Sequence, residues 1–191
     1  MKHVIPFIRF TTYYTKMDGH KAMKILECAQ PGDFILTVDK KKLTGMLIPG
    51  VVDHAALVVS KHEAAQMTHK DFTVDHILNV LFESDRAMLM RIRGITDEYS
   101  KMMVDVAMSL NKATYDVSFK FGVDALYCSE LVFVADIDGL MGADTSDLAG
   151  VGQEYISPTG LLVASNVICV FDTDEVLSGL TGTEIAKGLQ L

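Results

Sequence analysis

Cys128, in Asp124-Ala125-Leu126-Tyr127-Cys128-Ser129-Glu130-Leu131, opens a nearly all-apolar stretch that runs to Ile137. Such a stretch reads as a buried helix. A thiol at its head feels the partial positive charge of the helix N-terminus, which favours the thiolate. The thiolate is the nucleophilic form, so this placement suits covalent catalysis, with the backbone N–H of Cys128 as a natural oxyanion donor. The competing reading is a buried structural cysteine. Cys28, near a helix end, and Cys169, inside an apolar strand, fit that packing role better. The three cysteines cannot all pair within one chain, so a reduced compartment is the simpler reading.

A cysteine nucleophile needs a base. Of six histidines, His54 stands out because it opens an otherwise apolar strand, His54-Ala55-Ala56-Leu57-Val58-Val59. A polar ring there is costly unless it finds a partner; a satisfied core histidine is the alternative to a base. The third member of a cysteine–histidine site orients the imidazole through a hydrogen bond. In a hairpin following His54, Gln66 lies on the adjacent strand and is the candidate. Glu63 and His69 take its place if the register slips, since one residue changes the face. His62, His69 and His76 are spaced by seven, but that spacing gathers ligands only along one continuous helix, and this stretch is broken by a turn. No metal site and no cofactor are expected.

The elements that must position these residues follow from periodicity. A helix is predicted from about Gly19 to Ala29, ended by Gln30-Pro31-Gly32-Asp33, and Phe34–Val38 reads as a buried strand. Asp39–Thr44 is a polar connection with a solvated lysine run at Lys40–Lys42. Val51–Ser60 and Ala64–Thr68 form an antiparallel hairpin around Lys61-His62-Glu63. Val74, Ile77, Leu78, Leu81 and Phe82 carry a helical stripe, and Ala87–Arg93 alternates as a strand. Tyr99, Met102, Met103, Val106, Ala107 and Leu110 mark a second amphipathic helix, capped by Thr96, whose methionines fill a core. Gly139–Gly152 reads as a flexible loop, Ser157-Pro158-Thr159 as a short turn or helix, and Val167–Phe171 as the last strand. No βαβ rhythm emerges, so the fold class is α+β with a mostly antiparallel sheet.

The 191 residues suit a single domain with its own core. A net charge of −8, from 17 Lys+Arg against 25 Asp+Glu, argues against a nucleic-acid partner. The longest apolar runs fall well short of the roughly 18–20 residues that span a bilayer. Met1–Phe10 is interrupted by Pro6 and Arg9 and lacks a small-residue cleavage site, so no secretory signal is read and a cytoplasmic location is expected, or a host cytoplasm or virion for a viral chain.

Several short motifs, in order, resemble one family. Pro31-Gly32-Asp33-Phe34-Ile35-Leu36, then Leu47-Ile48-Pro49-Gly50 with Asp53-His54-Ala55-Ala56-Leu57-Val58-Val59, then Tyr115-Asp116-Val117-Ser118-Phe119, Tyr127-Cys128-Ser129-Glu130-Leu131-Val132 and a late Ser157-Pro158 are similar to the circularly permuted papain-like hydrolases. These are a YiiX-like branch of the NlpC-like cysteine peptidases. The resemblance spans about residues 30–172 and implies one papain-like domain whose sheet packs against the buried cysteine helix. It implies a Cys128 nucleophile, a His54 base and a third polar residue on the strand after His54. Relatives commonly carry glutamate where Gln66 aligns. Tyr127 and Ser129 become oxyanion or pocket residues, with a packed aromatic as the alternative for Tyr127. Peptide, peptidoglycan-stem or lipid-linked acyl substrates are implied. The leading expectation is hydrolysis of an amide or ester through an acyl-enzyme. A non-catalytic binding or assembly scaffold and an acyltransferase using the same cysteine are the alternatives.

Overall fold

The computed structural model describes residues 17–39, 51–122, 124–147 and 152–189. The lysine run, Leu47–Gly50 and Met1–Phe10 lie outside the described residues. In chain order the elements are α1 (Gly19–Cys28), β1 (Phe34–Val38), β2 (His54–Val58), β3 (Glu63–Thr68), β4 (Asp71–His76), α2 (Ile77–Phe82), β5 (Arg86–Ile92) and α3 (Asp97–Ser109). The second half holds β6 (Thr114–Tyr115), β7 (Ala125–Leu126), α4 (Cys128–Ala135), β8 (Ser146–Asp147), β9 (Glu154–Tyr155), α5 (Pro158–Leu162), β10 (Val167–Asp172) and α6 (Gly182–Leu189).

Six strands form one sheet in the order β10-β5-β1-β2-β3-β4, with every neighbouring pair antiparallel. Because side chains alternate along a strand, each face of the sheet gathers its own core. Ile35, Ala56, Val58, Ala64 and Leu89 pack beneath Ile25 of α1 and Ile77 and Leu81 of α2. Phe34, Leu36, Ala55, Leu57 and Met90 pack against Met103 of α3 and Leu131 and Val132 of α4. The result is a helix–sheet–helix sandwich, and the expected α+β class with a mostly antiparallel sheet is what is seen.

Capping sets the helix starts. The Asp18 carboxylate accepts the Lys21 N–H at 2.9 Å, and the Thr96 hydroxyl accepts the Tyr99 N–H at 3.2 Å. The turn between α1 and β1 needs its glycine: Gly32 has φ +87°, and a Cβ there would sit 2.9 Å from the Ser100 side chain. Asp33 then locks β1 to β5, accepting Nε and Nη2 of Arg91 at 2.6 and 2.7 Å.

The helix predicted from Val74 begins later than its stripe suggested. Asp71–His76 is strand β4, paired to β3 throughout, and only Ile77–Phe82 is helical. Phe72 joins the α4-side core while Thr73 and Asp75 turn to the other face, so period two prevails over the helical spacing. The segment read as a flexible loop holds β8, which pairs with β9. The α6 helix has no counterpart in the sequence reading.

The last strand is tied down by Asp172, whose side chain is fully buried. It accepts Nε and Nη2 of Arg86 at 2.8 and 2.6 Å and the N–H groups of Asp174, Val176 and Leu177. Burial alone would raise the carboxyl's pKa, but Arg86 and the N–H groups of Asp174 and Leu177 hold it below its ordinary value. Asp172→Asn removes the buried counter-charge of Arg86, leaving only the exposed Asp174 carboxylate 3.7 Å from Nε, and is expected to cost roughly 3 kcal/mol in unfolding free energy at pH 7. A carboxyl with a lowered folded pKa stabilises above its unfolded value, near about 4, and that stability fades as pH falls through the folded value. The gap between wild type and variant in urea titrations should therefore be full at pH 7 and narrow below about pH 4.

Candidate active site

The short parallel ladder of β6 and β7 aligns Thr114 with Ala125 and Tyr115 with Leu126, and the Asp116 N–H donates to the Leu126 carbonyl at 2.8 Å. Two motifs far apart in sequence, Tyr115-Asp116 and Tyr127-Cys128, are thereby laid side by side. The Asp116 carboxylate accepts the N–H groups of Ser118 and Lys120, both at 2.7 Å, and so folds the following loop. That loop brings the Phe119 ring edge-on to Tyr127, with centroids 5.3 Å apart.

Cys128 is the first residue of α4 and is 6% exposed. It lines a narrow cavity of ≈ 20 Å³ with Asp53, Tyr115, Phe119, Tyr155 and Pro158, which is room for about one water. The N–H groups of a helix's first turn point out of its end, so a reacting atom bound at Cys128 meets backbone donors and the positive end of the helix. Burial raises the pKa of the Tyr115 phenol, and negative charge on Cys128 and then Asp116 raises it further. A protonated phenol therefore stands beside the thiol. Tyr115 is the functional candidate that sequence reasoning passed over; its signal was the tyrosine–aspartate pair, read only as part of a motif.

Tyr127 and Ser129 share this cavity, but both also clasp one backbone unit. The Ile156 N–H donates to the Tyr127 hydroxyl at 2.9 Å, and the Ser129 hydroxyl donates to the Ile156 carbonyl at 2.8 Å. The Ser129 proton is thus committed to structure. Cys28 is exposed, and Cys169 is buried, with its thiol pushed up to about 12 chiefly by that burial.

On the other side of the sheet, His54 Nε2 lies 2.7 Å from Gln66 Oε1. The Gln66 amide nitrogen donates to Asp75 Oδ2 at 2.9 Å, and the Thr73 hydroxyl donates to the same oxygen at 2.7 Å. A carboxylate only accepts, so the Gln66 NH₂ must face Asp75 and its oxygen must face His54. Nε2 then carries the ring proton, and Nδ1 is the basic nitrogen of the neutral ring. These groups border a polar cavity of ≈ 610 Å³ on the α2 side of the sheet. Glu63 instead accepts from the Ser60 hydroxyl at the hairpin turn, and His69 sits at the rim of the His54 cavity.

The structure thus brings His54 and Gln66 together, as the register required. It sets Cys128 in a second cavity, of which Asp53, the residue before His54, forms a wall. The start of β2 borders both.

Comparison with known families matches residues 28–137, more than half of the chain, to the permuted papain-like amidases of the YaeF/YiiX type, peptidase family C92. The chain belongs to this family. Comparison with curated proteins gives no match. Among solved structures, the crystal structure of metalloprotein yiiX from Escherichia coli O157:H7 superposes with a TM-score of 0.66 at 17% identity, over 74% of this chain and 96% of that one. Its likeness is one of fold, and the fold is the permuted papain-like one that the ordered motifs implied. Among the described residues no group of three or more His, Cys, Asp or Glu side chains is placed to hold a metal ion. No helix among them is long and apolar enough to cross a membrane.

Glu130, fully buried in the first turn of α4, accepts the N–H groups of Gly122 at 2.9 Å and Tyr127 at 3.4 Å. Burial pushes its carboxyl up to about 7, against the lowering by those two N–H groups and with a further rise from Asp116. A carboxyl raised in the folded state gives stability that is greatest below its unfolded value, near about 4.5, and is lost as pH climbs to about 7. That loss is on the order of 3 kcal/mol. Glu130→Gln should remove this component: the difference between wild-type and variant unfolding free energies should change between pH 4.5 and 7.5 and be flat on either side.

Proposed function

We propose that this chain is a cysteine amidase or peptidase that cleaves an amide or ester bond through Cys128, with His54 as the proton carrier. The observation that carries the reading is Cys128 at the first turn of α4, inside the segment matched to the amidase family and beside a protonated phenol. Thiolate sulfur attacks the carbonyl carbon, and the resulting oxyanion is met by N–H groups of the α4 terminus. The His54 imidazolium gives its proton to the leaving amine or alcohol as the bond breaks. Water, deprotonated by neutral His54, then adds to the thioester, and collapse of that adduct returns the thiol and the acid product.

The hydrogen bond from His54 Nε2 to Gln66 supports this use of the ring, because it makes Nδ1 the basic nitrogen of the neutral imidazole. Asp53 lines the cysteine cavity and His54, one residue on, lines the cavity on the other face of the sheet, so proton transfer to Cys128 requires the His54 ring to swing around the N-terminal end of β2. Gln66 takes the role of orienting partner; a neutral amide holds the tautomer but adds no charge of its own. Peptides, peptidoglycan stems and lipid-linked acyl groups are the substrate classes in keeping with the family. The narrowness of the cysteine cavity favours one second reading, a binding scaffold that keeps the papain-like frame.

Alkylation needs no substrate and separates the two. With iodoacetamide at pH 6 and peptide mapping by mass spectrometry, Cys128 should react about tenfold faster than exposed Cys28, as an activated thiolate does. His54→Ala should abolish that advantage. Equal rates at the two cysteines, or a Cys128 rate indifferent to His54→Ala, would overturn the thiolate–imidazolium pair and leave the scaffold.

A further inference from the structure

The chain of contacts from His54 does not stop at Gln66. The Gln66 amide bridges two groups: its oxygen faces the ring, and its nitrogen donates to Asp75 on β4, directly across the β3–β4 pair from Ala64. Asp75 Oδ2 takes a second donor from Thr73, so the carboxylate is itself held in place. An isolated glutamine has two amide orientations of similar energy, and one of them would present NH₂ to the imidazole and force the opposite tautomer. Asp75 removes that ambiguity, since only the NH₂ end can face a carboxylate.

We propose that Asp75 is a positioning residue for His54: acting through Gln66, it fixes the ring as the Nε2–H tautomer and supplies, one amide further out, the negative charge that glutamine at position 66 lacks. The proposal rests on His54 being the proton carrier and adds the group that prepares it. Hydrogen-bonded amides transmit polarisation, so the carboxylate strengthens the Gln66 oxygen as an acceptor and favours the imidazolium. The other charged or titratable groups around this cavity are His69 and Lys70 from the β3–β4 turn and Glu83 beyond α2, while Asp53 lies next to His54 in the chain. None of them has a hydrogen bond to the Gln66 amide among the contacts described, whereas Asp75 does. Outer partners of this kind commonly change activity by about 10–100-fold when removed.

Nitrogen-15 NMR of histidine-labelled full-length chain reads the tautomer and titration of His54 without any substrate. Wild type should show Nε2–H as the dominant neutral form. Asp75→Asn should mix the tautomers, shift the His54 titration to lower pH and slow Cys128 alkylation at pH 6 about tenfold. Asp75→Asn with Gln66→Glu, which brings a carboxylate directly to the ring, should restore the titration and the alkylation rate. Thr73→Val keeps the charge but removes one anchor of Oδ2, so it should show the same changes to a smaller degree and guards against a misfolded Asp75 variant. An unchanged tautomer and titration in Asp75→Asn, with only the melting temperature lowered, would overturn the proposal. If His54→Ala leaves Cys128 alkylation untouched while Asp75→Asn still alters the His54 tautomer, the relay stands and the hydrolase reading fails, so the two are separable.

Discussion

The two-residue period of β2 is the constraint on which the site depends. Asp53 faces the cavity of Cys128, and His54, one residue on, faces Gln66. Shifting the strand by one residue would exchange these two side chains and reverse every core contact of Ala55, Ala56, Leu57 and Val58. The two cores, one beneath α1 and α2 and the other against α3 and α4, hold that register from both sides. Chemistry at the end of β2 is therefore anchored by packing along its whole length.

Charge is used differently at the two sides of the sheet. Around Cys128, Tyr115 and Glu130 are shifted toward their neutral forms chiefly by burial, while the carboxylates of Asp53 and Asp116 lie close by. Around His54 the polar groups form a linear series, ring to amide to carboxylate to hydroxyl. The arginine ion pairs are kept away from both: Arg91 pairs with Asp33 and Arg86 with Asp172 at the β1–β5–β10 side of the sheet.

Much of this was legible in the chain. The strand of His54, the helix of Cys128 and the hairpin that carries Gln66 follow from apolar periodicity, and the His54–Gln66 contact follows from the hairpin register. Asp75 was hidden because Val74, Ile77, Leu78 and Leu81 also fit a helix; the competing alternation of Phe72 and Val74 against Thr73 and Asp75 decides in favour of a strand only when β3 is there to pair with it. The β6–β7 ladder is two residues long and leaves no periodic trace, so the nearness of Tyr115 to Cys128 required three dimensions. The separation of Cys128 and His54 into cavities on opposite faces of the sheet likewise depends on which face each strand residue takes.

The clasp of Tyr127 and Ser129 on Ile156 has a consequence for what counts as the folding unit. The segment bearing the family signature ends at residue 137, yet the helix that opens with Cys128 leans on a backbone unit nineteen residues beyond that point, and β5 finds its outer neighbour only in β10. The signature and the fold are therefore not coextensive. During synthesis the cysteine helix emerges before the groups that seat it, so the thiol acquires its final surroundings late, when the C-terminal part of the chain closes over the sheet edge.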